Sequence, residues 1–174
     1  LLRVGGMQLF KIESSDTSEK FSASAFQMVI YLMAFYILLT VVCSGTYFVL
    51  GMSMFDAVTH AMATVSTGGY STHDASFGYF KQPALHWAAT VFMAAGAIPF
   101  YLYVKAARGT PHQIFTDEQV RGFIGFLVVV SVAMAAWLSW ERGTPFTEAL
   151  TLTAFNVTSV VTTTGFATDD YTTW

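Results

Sequence analysis

The chain has 174 residues, of which 54% are hydrophobic and only 11% charged, with a net charge of -3. Average soluble domains carry about 25% charged residues, so this chain lacks the charge to cover a solvated surface and reads as a membrane protein. The mild acidic balance offers no basic patch for nucleic acid, and the single cysteine, Cys43, rules out a disulfide framework.

Residues 1–20 read as a polar connector, ending in Ser14-Ser15-Asp16-Thr17-Ser18-Glu19-Lys20, with Asp16 and Glu19 as a helix start. Leu1 and Trp174 look like cut ends, so a fragment of a longer chain is expected. The first long apolar run, Ala25 to Leu50, carries no charge and gives about 39 Å of helix, enough to cross a bilayer core of about 30 Å. Inside it, Cys43 reads as a small buried hydrophobe. Ser53-Met54-Phe55-Asp56 is a capping box that opens a helix to about Val65. That helix is only about half a bilayer long, as a re-entrant or interfacial segment would be. A polar stretch to Gln82 follows. A second apolar run, Pro83 to Val104, crosses back, with a kink expected near residues 95–100 from Gly96 and Pro99.

Lys105 to Gln119 is the next connector. Thr116-Asp117-Glu118-Gln119 reads as a capping box for a helix running to about Trp140, and Thr144-Pro145 reads as an N-cap followed by an N1 proline for a helix to about Val161. The resulting fold class is an all-α membrane protein built of helix–pore-loop–helix repeats, with one and a half repeats present. The units are residues 1–20 (connector after a preceding repeat), 21–107 (complete repeat), 108–118 (connector) and 119–174 (partial repeat). Asp56 precedes Gly69 by 13 residues and Glu148 precedes Gly165 by 17, so the second half-helix is expected to be about one turn longer.

The two short helices end in the same kind of run. Ser66-Thr67-Gly68-Gly69-Tyr70 is matched by Thr162-Thr163-Thr164-Gly165-Phe166. A cation stripped of water needs oxygen ligands, and a non-helical backbone lining water inside the membrane supplies a column of carbonyls. Glycine suits such a column because alternate residues must take positive φ; Gly69 and Gly165 are the matched glycines, while Gly68 stands opposite Thr164. Threonine hydroxyls add oxygens at the inner end. Tyr70 and Phe166 are expected to point away from the ion and wedge each loop. The C-terminal helix dipoles add negative potential. His60 and Asn156, nine residues before each matched glycine, are assigned to bracing hydrogen bonds. The ion-coordinating set is therefore Thr67, Gly68, Gly69, Thr163, Thr164 and Gly165, flanked by Ser66, Tyr70, Thr162 and Phe166.

Six basic residues lie on the connector side and two, Lys81 and Arg142, on the loop side, which places the connectors in the cytoplasm and the loops outside. Asp74, Asp169 and Asp170 then become acids of an outer mouth that enriches cations. Trp137 and Trp140 suit an outer aromatic belt.

The segments Met7 to Ser15, Val65 to Thr72 and Phe155 to Ala167 resemble the membrane subunit of bacterial Trk-type potassium uptake systems, in the Trk/Ktr/HKT superfamily. The resemblance covers essentially the whole chain. It implies four repeats in one polypeptide around one pore, with this chain running from the tail of the first to the filter of the third. It also implies a homodimer, a cytosolic nucleotide-binding regulatory subunit, a multi-pass protein of the bacterial inner membrane, and K+ as transported ion rather than any cofactor. Transport could be channel-like or by symport. Ser71 and Ala167 stand where tetrameric potassium channels carry a second glycine, which leaves room for sodium passage.

Two other readings compete. A broken-helix secondary transporter for a small solute would also use half-helices, although its breaks normally lead straight into another half-helix. A membrane anchor or sensor leaves the duplication without a reason. Thr/Ser-Gly runs are ordinarily turns or helix ends; the duplication after half-length helices is what lifts these two above that. No catalytic constellation or phosphate-cradling loop is present, so no enzyme is expected.

Overall fold

In the computed structural model, which describes residues 17–107, 109 and 112–168, the apolar runs become helices whose outward faces stay bare. Helix α1 (Thr17–Val49) exposes Val29, Met33, Ile37 and Val41 along its length and buries Cys43 and Tyr47 near its C-terminal end. Apolar surface on that scale is untenable in water and ordinary against lipid or further helices. The segments Phe26–Val49 and Glu118–Arg142 are each long and apolar enough to cross a membrane.

Helix α2 (Met54–Val65) begins as its capping box dictates. The Asp56 amide donates to Ser53 Oγ at 3.1 Å, and the Ser53 hydroxyl donates to Asp56 Oδ2 at 2.8 Å. Its 12 residues span about 18 Å, too short to cross. A 3₁₀ turn (Ser76–Tyr79) follows, and then α3 (Pro83–Ala97) with proline in its first turn.

The expected kink is a sharper event. Helices α3 and α4 (Phe100–Ala107) meet at 89°, so this apolar run is two helices rather than one bent span. Pro99 cannot donate to the α3 ladder, and Ile98 before it is extended (φ -70°, ψ 135°). The corner is then held from outside it. The Tyr103 hydroxyl donates at 2.7 Å to the Ala95 carbonyl, which also accepts the Ile98 amide, Phe35 stacks on Tyr103 and Tyr36 packs on Phe100.

A short helix α5 (Gln113–Thr116) lies in the connector, followed by α6 (Glu118–Arg142) and α7 (Phe146–Val161). Both caps fall one residue later than expected. Asp117, not Thr116, caps α6, because its carboxylate takes the Gln119 and Val120 amides at 3.0 and 3.2 Å. Pro145, not Thr144, is the N-cap of α7; the Thr144 carbonyl accepts the Ser139 hydroxyl at 2.8 Å instead. With 16 residues against 12, α7 exceeds α2 by about one turn, as anticipated.

The main core surrounds α2. Ala57 and Ala61 let α1 and α3 approach closely, and Phe77 of the 3₁₀ turn touches the rings of Tyr47, His60, Phe80, His86, Phe155 and Phe166. Phe155 and Phe166 belong to the second unit, so the two units share one core. Trp87 on α3 donates to Thr151 on α7 at 3.1 Å, a second tie between them.

Gly96 lets α3 rest on the end of α2: a Cβ there would stand 2.9 Å from the Val65 carbonyl oxygen. Gly96→Ala is expected to destabilise the full-length protein by about 1–3 kcal/mol. The readout is thermal unfolding in detergent, with Gly122→Ala, where a Cβ meets nothing within 4 Å, as the neutral control.

Candidate functional site

Helices α2 and α7 end by the same hydrogen bonds. After α2, the Ser66, Thr67 and Gly68 amides donate to the Met62, Thr64 and Ala63 carbonyls at 3.1, 3.1 and 2.8 Å. After α7, the Thr162, Thr163 and Thr164 amides donate to the Thr158, Val160 and Ser159 carbonyls at 2.9, 3.0 and 2.8 Å. The crossed bonds from the second and third residues are those of a Schellman ending, which turns the chain back through a left-handed residue. That residue is Thr67 (φ 50°) in one loop and Thr163 (φ 58°) in the other. A β-branched side chain in this region costs roughly 1–3 kcal/mol and marks a site of interest. Two residues on, Gly69 (φ 64°) and Gly165 (φ 88°) are left-handed again. Alternate positive φ is therefore present, carried by a threonine and a glycine in each copy.

The loops touch. A Cβ on Gly69 would collide with the Thr164 carbonyl oxygen and stand 2.8 Å from its carbon and 3.1 Å from the Gly165 carbonyl carbon. Ser66, Gly68, Thr163 and Gly165 are exposed, Thr67 and Gly69 half-buried, Thr162 and Thr164 buried. The Thr162 hydroxyl donates to the Thr158 carbonyl at 2.8 Å and lies 2.7 Å from the Thr164 hydroxyl, so both side chains turn toward α7.

The two aromatics diverge. Phe166 is buried and stacks on His60 at 5.9 Å, the wedge expected of it. Tyr70 is 83% exposed and packs on no ring among the described residues.

His60 and Asn156 make hydrogen bonds beyond the glycines. His60 Nδ1 lies 2.9 Å from the Asp56 carbonyl, which can only accept, so Nδ1 carries the proton; Nε2 faces the Ser71 hydroxyl at 2.9 Å. Asn156 donates to Thr168 Oγ1 at 2.7 Å and accepts the Thr168 amide at 3.2 Å. Asp74 is exposed. Asp169 and Asp170 lie outside the described residues.

Several holding residues have no counterpart in the motif. Tyr47 Oη is 2.9 Å from Thr64 Oγ1. The Ser159 hydroxyl donates to the Phe166 carbonyl at 2.7 Å. The Gly78 amide donates to the Ala167 carbonyl at 2.9 Å, and the Ala167 amide to Ser76 Oγ at 3.3 Å, so the first unit grips the outer limb of the second loop. Only the buried hydroxyl of Ser159 in an apolar helix could have been flagged from sequence; the others need the fold.

Asp56, in the first turn of α2 and outside the spanning segments, accepts Thr72 Oγ1 at 2.6 Å as well as Ser53. These two hydroxyls, Thr72 foremost, hold its carboxyl below the usual 3.8; slight burial acts against them, and His73, 3.3 Å away, acts with them. A lowered carboxylate stabilises the fold at all pH above the unfolded value and loses that contribution as pH falls through the folded one. Wild type is therefore expected to lose thermal stability on acidification below about pH 4, and Asp56→Asn to lose less over that range. Unfolding of the full-length protein across an acid series checks this.

Residues 3–174 match the family model TrkH, described as a cation transport protein. The Trk system potassium uptake protein TrkI of Halomonas elongata is 44% identical over 99% of this chain and 35% of its own length. The Trk system potassium uptake protein TrkH of Escherichia coli K12 is 33% identical over 100% of this chain and 37% of its own. The crystal structure of the potassium transporter TrkH from Vibrio parahaemolyticus superposes with a TM-score of 0.77 at 29% identity, over 92% of this chain and 34% of that one. The chain thus spans about a third of the length of the relatives it matches.

Proposed function

The chain belongs to the TrkH family of cation transport proteins, and from that premise we propose that it is part of the ion-translocating subunit of a potassium uptake system. Potassium passes in single file between oxygens of Thr67, Gly68, Gly69, Thr163, Thr164 and Gly165, with room left for sodium. The observation that carries this reading is the pair of identical helix endings. Each throws a threonine and a glycine into left-handed backbone, and the two loops meet at Gly69 and Thr164. Main chain freed from helix bonding and gathered at one place is what a cation without its water requires.

The remaining parts follow from the same reading. Residues 21–107 form a complete repeat and 119–174 part of the next, joined by connectors at 1–20 and 108–118. Further repeats of the same polypeptide close the pore, two such polypeptides pair, and a cytosolic nucleotide-binding subunit regulates them. The protein sits in the bacterial inner membrane with its loops outside, where Asp74, Asp169 and Asp170 line the mouth. His60 and Asn156 brace the loops. The broken-helix transporter gains no support at the first loop: residues 70–82 hold only the 3₁₀ turn, not a continuing half-helix.

The test is radioactive rubidium uptake by potassium-transport-deficient cells expressing the complete protein. Gly69→Ser adds a clash to backbone strain and is expected to lower uptake by roughly tenfold or more. Gly165→Ser meets no atom within 4 Å and adds strain alone, so its loss is expected to be smaller. Unaltered uptake and cation preference in both variants would sink the proposal.

A further inference from the structure

The two loops share a backbone and differ in their buried hydroxyls, of which one, on Ser159, holds a loop carbonyl. Ser159 is fully buried, and its hydroxyl donates to the Phe166 carbonyl at 2.7 Å. Its matched residue on α2 is Ala63, also buried, with no hydroxyl to offer. The backbone bonds at the two positions are alike. The Ala63 carbonyl accepts the Gly68 and Gly69 amides at 2.8 and 3.4 Å, and the Ser159 carbonyl accepts the Thr164 and Gly165 amides at 2.8 and 3.3 Å.

The consequence falls on the residue after each left-handed glycine. Phe166 is held by its carbonyl through Ser159, by its ring between His60 and Phe77, and through Ala167 by Ser76 and Gly78. The Tyr70 carbonyl accepts no hydrogen bond from any described residue. Restraint resumes one residue later, where Ser71 meets His60 and Thr72 meets Asp56.

We propose that Ser159 is a specificity-determining positioning residue, and that Ala63 leaves the matched peptide of the first loop looser. By fixing the Phe166 carbonyl against α7, Ser159 stops the peptide after Phe166 from turning and so anchors the outer end of the segment that carries the Thr164 and Gly165 carbonyls. An oxygen cage discriminates between ions by its size and by the number of carbonyls it can bring in. Both change when a peptide is free to turn: a looser loop closes around the smaller sodium ion, and a held one does not. This rests on reading the loops as the ion path.

The experiment uses the complete protein in transport-deficient cells. Rubidium uptake is measured against potassium or sodium as competitor, alongside the amount of protein in the membrane. Ser159→Ala is expected to raise the potency of sodium relative to potassium by roughly fivefold, the worth of one hydrogen bond. Ser159→Thr, which keeps the hydroxyl, is expected to retain the wild-type ratio, and Ala63→Ser to lower the relative potency of sodium. A wild-type ratio in Ser159→Ala, or a shift that Ser159→Thr shares, overturns the assignment. If Ser159→Ala does not reach the membrane, Ala63→Ser decides, and an unchanged ratio there overturns it. Loss of uptake in the Gly69 and Gly165 variants with an unmoved Ser159→Ala ratio rejects only this inference; unaltered uptake in the glycine variants rejects the ion path itself.

Discussion

On the ion-path reading, ending a helix inside the depth of a membrane is the constraint from which the rest of this structure follows. The last turn of any helix leaves carbonyls without partners, and lipid offers none. Helices α2 and α7 meet the problem identically, by folding the next amides back onto Ala63 and Ser159. That closure forces Thr67 and Thr163 into left-handed backbone. Such a conformation persists only where the surroundings over-determine it. The aromatic core around Phe77, the Tyr47–Thr64 contact and the bonds from His60 and Asn156 are those surroundings.

The second loop is completed by the first unit. Its aromatic, Phe166, lies against His60 and Phe77, and its outer limb is bonded to Ser76 and Gly78. Gly78 is necessarily small, because a Cβ there would stand 2.8 Å from the Thr168 carbonyl oxygen. The contact is head-to-tail: the first unit presents a socket to the loop of the second. Tyr70, the counterpart of Phe166, is 83% exposed and has no such socket among the described residues. The second loop is therefore not a self-contained hairpin, and its rigidity depends on the unit packed against it.

Much of this was legible in the sequence where local chemistry decides. Ser53 caps α2 as its spacing with Asp56 requires, α7 is longer by the turn that the spacing to Gly165 implied, and both matched glycines are left-handed. What escaped depends on tertiary contacts or on a rule being broken. Left-handed backbone is normally credited to glycine, so Thr67 and Thr163 gave no sign of it. Phe77 sits in a stretch that reads as a polar connector, yet it is the centre of the core. The 89° corner at Pro99 exceeds what a proline alone imposes; Tyr103, Phe35 and Tyr36 hold it, from positions that sequence does not bring together.

The two left-handed threonines carry one more argument. Glycine at either place would remove roughly 1–2 kcal/mol of backbone strain, and the Schellman ending ordinarily uses it. Packing does not explain the choice, for Thr163 is exposed and Thr67 only half-buried. Internal hydrogen bonding does not explain it either. The hydroxyls of Thr64, Thr153 and Thr162 each donate to a backbone carbonyl, whereas those of Thr67 and Thr163 engage no described residue. Both copies thus bear a strained residue whose only gain over glycine is an uncommitted hydroxyl beside a neighbouring loop. On the ion-path reading, that hydroxyl is the reason: it adds an oxygen at the inner end of the loop.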